Sequence, residues 1–78
     1  MKPIDIDKAY KAFLEYSLSP GIEYILNDSV EITDGEYKGL RGAVISIRSV
    51  NPEVIFIVEL SNGRDVDVPQ QLLKVIKE

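Results

Sequence analysis

Apolar residues near the start of the chain recur at steps of three and four. Ile6, Ala9, Tyr10, Phe13, Leu14 and Ser17 fall on one side of a helical wheel, and Lys8, Lys11 and Glu15 fall on the other. This spacing predicts an amphipathic helix over residues 5–18. Asp5 or Asp7 is placed to accept the first free backbone N–H groups. Ser19, Pro20 and Gly21 are expected to end the helix, because proline disfavours helical geometry in the residue before it and glycine permits a turn. The apolar stripe needs a cover, either the rest of the domain or a partner protein. Residues 22–26 form a short apolar run that fits a strand, a helical turn or a buried connector, and Asn27 with Asp28 marks a turn.

From Val30 onward the period changes to two. Val30 and Ile32 alternate with Glu31 and Thr33, as in a strand with one buried face. A glycine-rich loop follows, then a second strand over residues 43–50 and a turn at Asn51, Pro52 and Glu53. Residues 54–60 are the most apolar run, expected as a central strand. Asn62-Gly63 predicts a hairpin, because this pair supports the turn that matches strand twist. Val66 and Val68 alternate with Asp65 and Asp67 in a fourth strand. Residues 69–73 suit a tight helical turn before a last short strand at 74–76. Five short strands within residues 28–77 predict a small barrel, since closure removes edges that short strands protect poorly.

The loop carries the most specific pattern. Gly35, Gly39 and Gly42 stand at fixed offsets, with Lys38 before the second glycine and Val44 after the third. Gly35 is expected at positive φ, Gly39 at a second bend, and Gly42 at the start of a strongly curved strand. Together with Val30 and Ile32 before it, this stretch resembles the KOW motif, whose family includes the C-terminal domain of the transcription factor NusG and certain large-subunit ribosomal proteins. The resemblance continues through Phe56 to Leu60, Gly63-Arg64, Val66 to Val68 and Leu73 to Val75, and covers roughly residues 28–77. It implies an SH3-like barrel and a loop that is often a contact surface. It departs from the family at Asn27-Asp28, where members often carry Gly-Asp, and in the added N-terminal helix. It also implies burial of Val44 and Ile47, whereas strict alternation pairs Ala43, Ile45 and Ile47. A β-bulge near Ile45 reconciles the two.

Composition narrows the chemistry. The chain has 78 residues, 45% of them hydrophobic, which suits one small domain with a thin core. It contains no cysteine and no histidine. Both usual transition-metal ligands and the commonest general base are therefore missing, and no serine has a histidine to activate it. Asp65 and Asp67 alone make a poor metal site, and an exposed edge-strand face accounts for them better. The glycine loop is not a phosphate loop, because no Lys-Ser or Lys-Thr follows its last glycine. Nine basic residues against 13 acidic ones give a net charge of −4, so the overall field does not favour nucleic acid. Met1 to Asp7 lacks the apolar run of a signal peptide, and no run approaches the roughly 20 apolar residues of a membrane span. The expectation is a soluble, cytoplasmic protein.

Tyr37, Lys38, Leu40 and Arg41 are expected to project from the loop, with Arg48 and Arg64 extending a basic surface if they lie nearby. Lys38 and Arg41 suit phosphate or carboxylate, and Tyr37 suits a base or a protein pocket. Asp34 and Glu36 offset the two cations locally. The sequence is thus read as a single mainly β domain over residues 1–78. It comprises a helix over 5–18, a connector over 19–27 and a five-stranded SH3-like barrel over 28–77, with the helix packed on it. Its expected role is non-enzymatic binding of a protein partner, without cofactor, metal, membrane or small-molecule substrate. The alternative is an accessory factor of transcription or translation touching RNA, ribosome or polymerase.

Overall fold

In the computed structural model, which describes residues 3–76, the N-terminal stripe forms a helix, α1, over Ile6–Leu14. The Asp5 carboxylate caps it, accepting the backbone N–H groups of Asp7 at 3.0 Å and Lys8 at 3.3 Å. The helix stops four residues short of the expected Leu18. Tyr16 takes a left-handed φ of +59°, its N–H donates to the Phe13 carbonyl, and the Ser17 N–H reaches back to the Ala12 carbonyl at 2.8 Å. This paired closure satisfies the last carbonyls before Ser19-Pro20 is reached, so Ser17 lies outside the helix. The proline only follows a stop already made.

Residues 22–26 are a buried connector without regular structure. Ile22 and Tyr24 turn inward and Glu23 outward. Gln70 fastens this segment, its amide oxygen accepting the Glu23 N–H at 2.8 Å and its amide nitrogen donating to the Gly21 carbonyl at 3.0 Å.

The sheet contains β1 (Ser29–Ile32), β2 (Arg41–Ser49), β3 (Ile55–Leu60), β4 (Asp65–Pro69) and β5 (Leu73–Val75), with a 3-10 turn at Gln70–Leu72 before β5. All pairings are antiparallel, in the order β4-β3-β2-β1-β5. The most apolar run, β3, is paired on both sides, while β2 occupies the middle. The hydrogen-bonded ladder does not close, so β4 and β5 are its edges. Each edge is guarded: β4 carries Asp65, Asp67 and Pro69, and β5 is three residues long. The expected barrel segment runs to Lys77, which lies outside the described residues, as do Met1, Lys2 and Glu78 of the 1–78 domain.

The inner face follows from register. Val44 stands opposite Val58, and Ile47 opposite Phe56. A register shift between Val44 and Ser46 makes Ile45 the extra residue, and a second shift falls between Ile47 and Ser49. The bulge at Ile45 is what allows Val44 and Ile47 both to face the core. The hairpin between β3 and β4 forms where Asn62-Gly63 predicts it, but with a different turn. Its loop has three residues, Ser61, Asn62 and Gly63, closed by the Gly63 N–H on the Leu60 carbonyl and the Leu60 N–H on the Arg64 carbonyl, both at 2.8 Å. Only Gly63 has a positive φ, +85°. This is the glycine-bulge hairpin rather than the two-residue turn.

The core centres on Phe56. Phe13 of α1 stacks beside it with ring centroids 6.2 Å apart, and Tyr24 meets it edge-on at 5.7 Å. The Tyr24 hydroxyl donates to the Leu73 carbonyl at 2.9 Å. Burial, and secondarily the charges of Glu23 and Asp28, push its pKa up. Phe13 and Phe56 are fully buried. We expect Phe13→Ala to cost about 3–5 kcal/mol, read as a lower urea midpoint with an unchanged slope.

Candidate functional site

Tyr37, Lys38 and Leu40 lie in the loop joining β1 to β2, and Arg41 opens β2 directly after it. Backbone bonds draw the loop tight. The Gly39 N–H donates to the Ile32 carbonyl at 2.7 Å, and the Ile32 N–H donates to the Leu40 carbonyl at 2.9 Å. The Thr33 N–H is held by the Leu72 carbonyl at 2.7 Å, tying the loop to the turn before β5. Asp34 accepts the Gly35 N–H through its carboxylate at 2.8 Å.

The three glycines meet different demands. Gly35 and Gly39 have φ of +86° and +88°. A side chain on Gly39 would enter open space, so only its backbone conformation calls for glycine. Gly42 lies inside β2, opposite Leu60, and a Cβ there would collide with the Glu59 carbonyl of β3. Its reason is close approach of two backbones. Gly39→Ala should therefore cost about 1–2 kcal/mol of left-handed strain and leave the sheet intact. Gly42→Ala must displace β3 and should be the more damaging. Paired thermal melts, with amide exchange across Val58 to Leu60, test this difference.

The six candidate contact residues do not form one surface. Tyr37 is half-buried and packs against the core, so it does not project as expected. Lys38 is exposed, and Leu40 is 45% exposed at the loop's end. Arg41 belongs to β2 rather than to the loop. Arg64 follows the β3–β4 hairpin, at the same end of the sheet, where the Ser61 N–H meets the Arg41 carbonyl. Arg48 lies toward the other end of β2, roughly 20 Å along the strand. It pairs across β3 with Asp67 at 3.3 Å.

Pairing also decides the electrostatics. Glu31 stands in register with Arg41 on one side and Lys74 on the other. Its carboxylate accepts the Arg41 Nε–H at 2.8 Å and lies 3.4 Å from the Lys74 ammonium. The Arg41 hydrogen bond, assisted by Lys74 and opposed by desolvation, holds the Glu31 carboxyl below the usual range. Glu31 and Lys74 were not among the residues singled out. The alternation of β1 places Glu31 outward, but only strand pairing brings it between two cations. Lys38 and Arg64 have no ion-pair partner among the described residues.

A folded-state pKa below the unfolded value makes stability depend on pH in one direction. The ionised Glu31 contributes fully above its unfolded pKa, and its contribution disappears as pH falls through the lowered folded pKa. Glu31→Gln should thus lower the melting temperature at neutral pH, and the two proteins should converge on acidification. A constant difference down to strongly acidic pH would exclude this role.

Elsewhere, Pro3, Ile4, Asp5, Lys8, Ala9, Ser19 and Pro20 line a crevice of about 300 Å³ between the start of α1 and the connector. The Ser19 hydroxyl is enclosed there without a hydrogen-bond partner, and the Asp5 carboxylate is engaged by the helix N–H groups. Among the described residues, no group of three or more acidic side chains converges as a metal site requires. No described helix is long and apolar enough to cross a membrane. No family model, curated protein or solved structure matches the chain.

Proposed function

We propose that this chain is a small, non-enzymatic binding module that engages a protein partner with the end of the sheet carrying the β1–β2 loop. We read its fold as a strongly bent SH3-like barrel of the KOW type, completed by α1. Strand order and the placement of Gly35, Gly39 and Gly42 support that reading. The observation that carries the functional proposal is the state of the loop's cations together with the exposed leucine at its end. Leu40 is exposed between Lys38 and an Arg41 already engaged by Glu31.

A polyanion gains affinity by displacing counterions from unpaired cations. Here Arg41 shares Glu31 with Lys74, Arg48 has Asp67, and Asp34 and Glu36 shortly precede Lys38 in sequence. A phosphate on the Nη groups of Arg41 would have to sit beside the Glu31 carboxylate held on Nε. A protein surface can cover Leu40 and leave that pair in place, with Lys38 and Arg64 on the polar rim.

The test combines two measurements. Fluorescence anisotropy with short single-stranded and duplex RNA at low salt should give no saturable binding. Affinity-tagged chain isolated from its native cell should retain a nuclease-resistant protein partner, lost with Leu40→Asp and kept with Arg48→Ala. Micromolar RNA affinity that falls steeply with salt and disappears with Lys38→Glu plus Arg41→Glu would replace this reading with the nucleic-acid one.

A further inference from the structure

We propose that Asp34-Gly35, in the β1–β2 loop, is a site of spontaneous backbone isomerisation that the fold leaves open, while the fold closes the related site Asn62-Gly63. Asp-Gly and Asn-Gly each occur once in the chain. In both pairs the glycine nitrogen can bond to the preceding side chain's Cγ and close a succinimide ring. Glycine, with no Cβ, leaves that nitrogen unshielded. All four residues are exposed, so solvent access does not separate the two sites.

Hydrogen bonding does separate them. The Gly35 N–H points at the Asp34 carboxylate, with nitrogen and Oδ1 2.8 Å apart. Nucleophile and electrophile are thus held side by side, and proximity of this kind favours ring closure. The soft torsion about the Asp34 Cβ–Cγ bond then turns the face of the carboxyl carbon toward the nitrogen. At Asn62 both reactants are engaged elsewhere. The Gly63 N–H donates to the Leu60 carbonyl at 2.8 Å, and the Asn62 amide oxygen accepts the Arg64 N–H at 3.0 Å. The hairpin must open before this ring can close.

Water is the only co-reactant. At Asp34 the Gly35 nitrogen bonds to Cγ, and its proton leaves with the carboxyl hydroxyl as water. A water molecule then reopens the ring. Cleavage between the nitrogen and Cγ returns aspartate. Cleavage between the nitrogen and the Asp34 carbonyl carbon gives isoaspartate, whose main chain runs through Cβ and Cγ and whose former carbonyl becomes the free carboxylate. At Asn62 ammonia leaves instead, and hydrolysis adds one negative charge. Isoaspartate lengthens the main chain between two anchors of the loop, the Thr33 N–H on the Leu72 carbonyl and the Lys38 N–H on the Gly35 carbonyl at 3.2 Å. Lys38 and Leu40 lie just beyond, so an effect on a protein partner rests on the binding role proposed above, whereas the isomerisation does not.

Peptide mapping of the full chain tests the proposal, after incubation folded in neutral buffer and, as reference, unfolded in guanidinium. Isoaspartate is read as a second, chromatographically separate peptide of unchanged mass that resists an aspartate-specific protease. Conversion of Asn62 is read as a gain in mass. Folding should slow Asn62 by about tenfold or more and leave Asp34 within about twofold of its unfolded rate. Asp34→Glu, which keeps the charge but needs a larger ring, should give no second peptide. Protection of Asp34 as strong as that of Asn62 would overturn the proposal, as would an Asn62 that converts equally fast folded and unfolded.

Discussion

The fold depends on the contacts that Phe56 makes with segments distant in sequence. Its ring takes Phe13 from α1 on one side and the edge of Tyr24 from the connector on another. A nine-residue helix has little stability in water by itself, and α1 buries only Ala9 and Phe13. The segment Ile6–Leu14 is therefore helical because the sheet presents Phe56 to it. Tyr24 extends the same dependence to the edge of the sheet, since its hydroxyl binds the Leu73 carbonyl at the start of β5. In a chain this short, without disulfides, one aromatic cluster joins the helix, the connector, an interior strand and an edge strand.

Phe56 can play that part only if β2 bends past β3 in the right register. Two local features secure this. Gly42 lets the β2 backbone approach the Glu59 carbonyl where any side chain would obstruct it. The bulge at Ile45 then brings both Val44 and Ile47 inward, opposite Val58 and Phe56. Along an unbroken strand, burial of Val44 would send Ile47 out to solvent. The glycine spacing noticed in the sequence is thus partly about the core, although the residues around it first draw attention as a binding loop.

The sequence was most legible where one local pattern had one physical cause. The stripe of α1, the alternation of β1 and β4 and the positive φ of Gly35 could be read from spacing, whereas the bulge near Ile45 came from the burial of Val44 and Ile47 that the KOW resemblance implies. The helix end could not, because Tyr16 in a left-handed conformation is an unusual stop that no proline or glycine announces. The hairpin at Asn62 and Gly63 was legible as a hairpin but not as a three-residue loop, since Asn-Gly fits either. The candidate surface was least legible. Lys38 and Leu40 are exposed as local sequence suggests, but Tyr37 turns inward, and Arg41 and Arg48 meet acids from other strands. Cross-strand partners depend on register, which one strand's alternation does not contain.

This dependence changes what the loop's charges mean. Counted along the chain, Lys38 and Arg41 look like a small cationic site diluted by Asp34 and Glu36. In the folded protein the more important acid is Glu31, ten residues before Arg41 and directly opposite it. Glu31 also reaches Lys74, so its carboxylate ties β1 to strands on both sides. The Arg41 guanidinium therefore belongs first to the sheet. An anion on the remaining Nη groups of Arg41 lies beside a carboxylate already in place on Nε. The same carboxylate that secures the strands thus offsets much of the positive charge that the sequence assigns to this end of the sheet.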